Sequence, residues 1–152
     1  MNTPTRHPQA CSGSTLGILF RQVRDAMWAR MERELALAGH ALTFSQYIVI
    51  KSLAVGTAGV TDLARTADLN PGAMTRLLDK LEARELVERV ADTNDRRALH
   101  IHLTDAGRQL WRDVDQCGRR VRERALQGMD DATRAQLTRL LEQARDNLLS
   151  QD

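Results

Sequence analysis

At 152 residues the chain is long enough to bury a hydrophobic core without disulfide staples, and its 42% apolar and 28% charged residues are those of an ordinary soluble domain. No apolar run approaches the roughly 18 residues needed to cross a bilayer, and the opening MNTPTRHPQACSGS lacks the basic-then-apolar order of an export signal. With Cys11 and Cys117 far apart and in no metal-ligand spacing, a reduced, cytoplasmic home is expected, and the net charge of +2 is too small to argue for nucleic acid.

After a tail over residues 1–13, a first helix is expected from about Ser14 to Ala38. Leu16, Leu19, Phe20, Val23, Met27, Met31 and Leu35 recur on it at three- and four-residue steps. Gly39 stops it. Thr43 caps a second helix that offers Phe44, Tyr47, Ile48 and Leu53 for burial, and Gly56 and Gly59 end it. Thr61 to Ala67 reads as a short third helix. Asp68-Leu69-Asn70-Pro71-Gly72 makes a turn, with Pro71 suited to the first position of a fourth helix. That helix turns Met74, Leu77, Leu78 and Leu81 inward and leaves Thr75, Arg76, Asp79 and Lys80 outside.

The period then changes from 3.6 to 2. Leu86 to Val90 reads as a strand and Leu99 to Leu103 as its return partner, joined by the polar loop Ala91 to Arg97. Thr104 caps a further helix with Leu110, Trp111, Val114, Cys117, Val121 and Ala125 in one stripe, broken at Gly128. Asp130 or Asp131 caps the last helix, which carries Leu137, Leu140, Leu141, Ala144 and Leu148. The expected class is mainly α, in the order α-α-α-α-β-β-α-α, with no internal repeat and no linker that splits the chain.

A short helix, a tight turn, a second amphipathic helix and an Arg-tipped hairpin together make a winged helix-turn-helix. One helix fits the major groove, where base edges distinguish sequence, and an Arg-bearing hairpin suits a narrow, electronegative minor groove. Gly72 and Ala73 are small enough for backbone amides to approach a phosphate at the helix start. The candidate DNA contacts are Thr61, Asn70, Gly72, Ala73, Thr75, Arg76, Lys80, Asp95, Arg96 and Arg97. Bulk charge does not make this case: between residues 60 and 105 seven cations face nine acids, so the position of each charge has to decide it. The stripes at the two chain ends, too long for the reader to cover, call for a second copy related by a two-fold axis.

The stretch TDLARTADLNPGAMTRLLDKLEARELVERVADTNDRRALHIHLTDAG resembles the core of the MarR family of bacterial regulators, most specifically in Thr75-Arg76, Leu81-Glu82, Leu86-Val87, Asp95-Arg96-Arg97 and Leu103-Thr104-Asp105-Ala106-Gly107. The resemblance implies a homodimer on a pseudo-palindromic operator. Residues 14–42 and 104–152 would supply the dimerisation helices, and 43–103 the DNA-binding lobe. It implies that Arg97 enters the minor groove, paired with and oriented by Asp95, while Arg96 serves a phosphate. The family usually has Gly where this chain has Glu85, so a left-handed backbone there would be strained.

The resemblance also implies a repressor whose DNA affinity is altered by a small phenolic or aromatic effector, or by oxidation. The usual pocket lies between dimerisation helices and reader. Met27, Met31, Tyr47, Ile48 and Trp111 are candidates to line it, with Arg24 or Lys51 as counter-ion; a redox alternative uses Cys11 with Cys117 resolving it. His100 and His102 share a strand face but are too few for a metal site, and no cofactor is expected. No nucleophile elbow, phosphate-cradling Gly loop, HExxH or paired-carboxylate cleft points to an enzyme. A winged-helix module that binds protein is the remaining alternative, one that has no need of Asp95 paired with Arg97.

Overall fold

The computed structural model describes residues 13–95 and 97–150. The elements run α1 (Gly13–Leu37), α2 (Phe44–Val55), β1 (Ala58–Gly59), α3 (Val60–Thr66), α4 (Pro71–Ala83), β2 (Val87–Ala91), β3 (Leu99–Leu103), α5 (Asp105–Ala125) and α6 (Asp131–Leu149). The expected order of helices and hairpin is present, with one addition. Two residues, Ala58 and Gly59, pair antiparallel with Ile101 and His100, so the sheet has three strands in the order β1-β3-β2.

The helices α2, α4, α5 and α6 each start at a polar side-chain cap. Thr43 accepts from the Gln46 amide while the Gln46 side chain accepts from the Thr43 amide, a reciprocal box at the start of α2. Asn70 accepts from the Ala73 amide, with Pro71 as the first helical residue of α4. Thr104 and Asp130 cap α5 and α6 in the same way. Gly39, at φ 80, closes α1 as the His40 amide reaches back to the Leu35 carbonyl.

One core joins α2, α3, α4, the sheet and α5. It contains Val49, Ile50, Leu53, Leu63, Met74, Leu77, Leu78, Leu81, Ile101, Leu103, Leu110 and Val114, with Met31 and Leu35 from the end of α1. The rest of the α1 stripe stays outside it: Leu16, Leu19, Phe20, Val23 and Met27 are each between 39% and 53% exposed. No residue of α6 is buried, and Leu148 is 83% exposed. Within a single chain both terminal stripes lack a covering surface.

Where α1 packs on α5, the buried Glu34 accepts from Arg120 at 2.6 Å and pairs with Arg30 at 3.2 Å. The Arg120 guanidinium holds the Glu34 carboxyl below its ordinary range against the opposing effect of burial, and Arg30 adds to the lowering. Nearer the α1–α2 corner, His40 Nε2 lies 3.0 Å from Asp113 Oδ2 on α5.

Lobe and α5 meet in a tight seam. The Thr104 hydroxyl donates to the Glu85 carbonyl at 2.6 Å and the Thr104 amide to the Leu86 carbonyl at 3.1 Å. A Cβ on Gly107 would lie 2.0 Å from that Leu86 oxygen, so only glycine lets the helix approach. Glu85 itself has φ 57, a left-handed backbone carried by a residue with a side chain.

Two outcomes follow for stability. Glu85→Gly relieves a strain of about 1 kcal/mol, partly offset by the greater freedom of glycine in the unfolded chain, and denaturant unfolding should show a gain of up to about that size. Glu34, with a folded pKa below its unfolded value, stabilises fully above that unfolded value, and its contribution is lost as pH falls through the folded one. Glu34→Gln should therefore flatten the acid limb of the stability curve when melts are compared from about pH 5 down to about pH 3.

Candidate nucleic-acid interface

The amphipathic spacing of α4 decides which side chains it offers. Met74, Leu77, Leu78 and Leu81 anchor one face in the core, and Gly72, Thr75, Arg76, Asp79 and Lys80 remain exposed on the other. Thr75 returns its hydroxyl to the Pro71 carbonyl at 3.0 Å. A Cβ at Gly72 would meet nothing closer than Asn70 Oδ1 at 3.6 Å, so packing does not demand glycine there. Ala73 is half-buried and its amide is already held by Asn70. That amide is unavailable to a phosphate, contrary to the expectation for Ala73, and Asn70 serves α4 as its cap. Thr61 is exposed in the first turn of α3.

The hairpin between β2 and β3 is shaped by two carboxylates. Asp92 accepts from the Asn94 amide at 2.7 Å and the Asp95 amide at 3.3 Å, and its second oxygen lies 2.7 Å from His100 Nε2. These hydrogen bonds, the Asn94 amide first, lower the Asp92 pKa. Asp95 accepts from the backbone amide of Arg97 at 2.9 Å. It thus orients Arg97 through the main chain, where a pairing of side chains was expected, and the Arg97 side chain stays exposed without an ion pair among the described residues. Arg96 lies outside the described residues.

Part of the lobe's charge is paired internally. Arg89 of β2 bridges Asp79 and Glu82 of α4, at 2.6 Å to Asp79, and Arg65 sits 3.4 Å from Asp62. Arg76, Lys80 and Arg97 form no ion pair among the described residues. Three uncommitted cations therefore line α4 and the wing, while several acids of the same lobe are neutralised. Sequence reasoning missed the Arg89 bridge; its signal was the phase of Val87, Arg89 and Ala91, which puts Arg89 on the core side of the strand.

The candidate effector residues differ in their surroundings. Arg24 is bound to its neighbour Asp25 at 2.8 Å and is largely exposed. Met31 is a core residue, Met27 is 39% exposed, and Ile48 and Trp111 are half-buried. Tyr47 belongs to an aromatic group with Trp28 and Phe44, at ring-centroid distances of 5.7 and 6.5 Å, and Lys51 Nζ stands 5.8 Å from the Tyr47 ring. Trp28 and Phe44 are not among the effector candidates. A cleft of about 370 Å³ opens at the α1–α2 corner, lined by Glu32, Leu35, Ala36, His40, Ala41, Leu42, Thr43 and Gln46. None of the seven candidates lines it.

Cys117 is completely enclosed, and burial pushes its thiol pKa up. It lacks both the access and the thiolate character that a resolving cysteine needs. Cys11 lies outside the described residues. His100 is engaged by Asp92, and no group of three or more His, Cys, Asp or Glu side chains among the described residues is arranged to hold a metal.

A helix pair whose second member keeps one face exposed, followed by a β2–β3 hairpin that a short strand before the pair completes to a three-stranded sheet, defines a winged helix-turn-helix protein. The MarR family model matches residues 43–99. The HTH-type transcriptional regulator FarR of Neisseria gonorrhoeae is 30% identical over 118 residues, 77% of this chain and 77% of that one. The HTH-type transcriptional repressor MdtR of Bacillus subtilis is 31% identical over 101 residues; the match takes in 66% of this chain but only 61% of MdtR. Among solved structures, NadR in complex with 4-hydroxyphenylacetate superposes with a TM-score of 0.72 at 26% identity, over 95% of this chain and 97% of that one. The chain belongs to the MarR family. Among the described residues, no helix is long and apolar enough to cross a membrane.

Proposed function

We propose that the chain is a sequence-specific, double-stranded DNA-binding transcription regulator that acts as a homodimer and represses. The observation that carries this reading is the exposed set of Arg76 and Lys80 on α4 and Arg97 on the wing, none of them in an ion pair among the described residues. In this reading α4 enters the major groove, with Thr75, Arg76 and Lys80 toward bases and phosphates and the Gly72 end of the helix against the backbone. Thr61 flanks the same strand, Arg97 enters the minor groove and Arg96 meets a phosphate. Residues 43–103 act as the reader, and 14–42 with 104–152 as the dimer helices. The uncovered leucines of α1 and α6 support a two-fold mate, which sets two half-sites about 34 Å apart. The name of MdtR supports repression.

Selection of bound fragments from genomic DNA should enrich a pseudo-palindromic sequence. On that sequence Arg97→Ala should weaken binding by about 1–3 kcal/mol while sedimentation still shows a dimer. Enrichment of no fragment would overturn the reading, and an unchanged affinity in Arg97→Ala would favour a module that binds protein.

We further propose that a phenolic or aromatic acid releases the operator. The complex of NadR with 4-hydroxyphenylacetate supports this, as does the Trp28–Phe44–Tyr47 group with Lys51 standing over Tyr47 as a counter-charge. Titrating 4-hydroxyphenylacetate and related acids into the operator complex should displace the DNA, and Lys51→Ala should raise the concentration required. Release by none of them would end the proposal.

A further inference from the structure

We infer that Arg89 is a positioning residue for DNA reading, acting as an electrostatic mask that keeps Asp79 and Glu82 from capturing or opposing the cations of α4. The inference rests on the DNA-binding reading of that helix and adds a residue to which no DNA contact is assigned.

Arg89 occupies an anomalous position. In the β2–β3 ladder it stands directly opposite Ile101, next to the pair Val87 and Leu103. Residues opposite one another in an antiparallel ladder share a face, and Ile101, Leu103 and Val87 are all buried. Arg89 therefore sits on the core side of the strand, while the apolar Val90 is turned outward at 42% exposure. An arginine in such a place keeps its stem along the apolar face and sends its head to the rim. Here the head reaches Asp79, at 2.6 Å, and Glu82 on the neighbouring helix.

Those two acids are three residues apart on α4 and so lie on one side of it. Asp79 is also three residues beyond Arg76, the spacing at which an aspartate and an arginine pair along a helix. With Arg89 in place Asp79 Oδ1 accepts from its guanidinium at 2.6 Å, and Arg76 has no ion-pair partner among the described residues. Without Arg89, Asp79 becomes the nearest anion to Arg76 on the same helix, and two uncompensated carboxylates face the phosphates. The acids remain 59% and 42% exposed at their side chains, and pairs this open contribute little to folding. Placing an arginine on the core side of a strand for so small a gain is understandable if its main effect is on the charge of the surface it edges.

The test uses the full chain and the operator recovered by fragment selection. Arg89→Gln should bind about tenfold more weakly or worse, and the triple variant Arg89→Gln/Asp79→Asn/Glu82→Gln should bind within a few-fold of the parent. A triple variant as weak as Arg89→Gln, or an Arg89→Gln that binds as the parent does, overturns the inference. The first result would mean that Arg89 packs or touches phosphate itself. A second arm needs no DNA. In ¹⁵N spectra of the arginine Nε–H groups, the Arg76 guanidinium should rotate freely in the parent, become restrained in Arg89→Gln and be freed again in the triple variant. An Arg76 signal that stays free in Arg89→Gln sinks the mask. Failure to recover any operator sinks only the DNA-binding reading and leaves the spectroscopic arm to decide this one.

Discussion

The Leu86 carbonyl oxygen occupies the space that a side chain at position 107 would fill, 2.0 Å from where its Cβ would stand. Much of the lobe's geometry hangs on that approach. It brings together the end of α4, the start of β2 and the first turn of α5, and Thr104 locks the junction by donating to the Glu85 and Leu86 carbonyls. Because Leu86, Val87, Leu103 and Leu110 are buried on either side of the junction, it lies inside the apolar cluster and not at its edge. The wing and α4 are consequently set relative to α5 by contacts that leave almost no slack. The left-handed Glu85 fits the same constraint: the chain must leave α4 sharply to bring Leu86 against Gly107, and it does so even without a glycine.

The opposite connection is built differently. The α1–α2 corner is anchored in the core by Leu35 and Leu42 and tied by polar contacts, the His40–Asp113 contact and the Arg84 donation to the Ala41 carbonyl at 3.2 Å, and the 370 Å³ cleft opens beside it. Polar contacts at partly exposed positions are weaker and more easily exchanged for water than a packed backbone seam. The lobe is thus joined to α5 by a close backbone seam and to α1 by a mixture of apolar packing and exchangeable polar ties.

Local pattern made most of the fold legible before any coordinates. The inward set of α4, the alternation of β3 and the caps at Thr43, Thr104 and Asp130 are all properties of short windows, and each reappears in the structure. What was hidden is long-range or too short to have a period. A two-residue strand at Ala58–Gly59 has no alternation to detect. Glu34 meets Arg120, and His40 meets Asp113, only because α1 lies along α5, and nothing in either neighbourhood announces the pairing. The site divided along the same line. The exposed face of α4 follows from its apolar face, but the use of Asp95 for a backbone amide, of Asn70 and the Ala73 amide for a cap, and of Arg89 for two acids depends on turn geometry and strand phase. The effector candidates were chosen for chemical type, and type does not say which side chains converge.

The burial pattern also separates the part of the chain that closes its own core from the part that does not. The lobe closes its own core, whereas α6 spans 19 residues with none of them buried, and the first half of α1 keeps five large apolar side chains at the surface. Helices of that length gain little from their backbone bonds alone and take most of their stability from packing an apolar face, against an ordering cost of about 1–2 kcal/mol per residue. A mate that covers those faces therefore stabilises the terminal helices and associates with them in one step, so that their order depends on protein concentration. The seam at Gly107 then extends the consequence to the reader: α6 joins α5 through the turn at residues 126–130, with Gly128 at φ 83, and α5 is held to the end of α4 by the Leu86 approach, so the placing of α5 sets the placing of α4. In the dimer we propose, the spacing of the two reading helices is fixed by the packing that makes the ends of the chain stable.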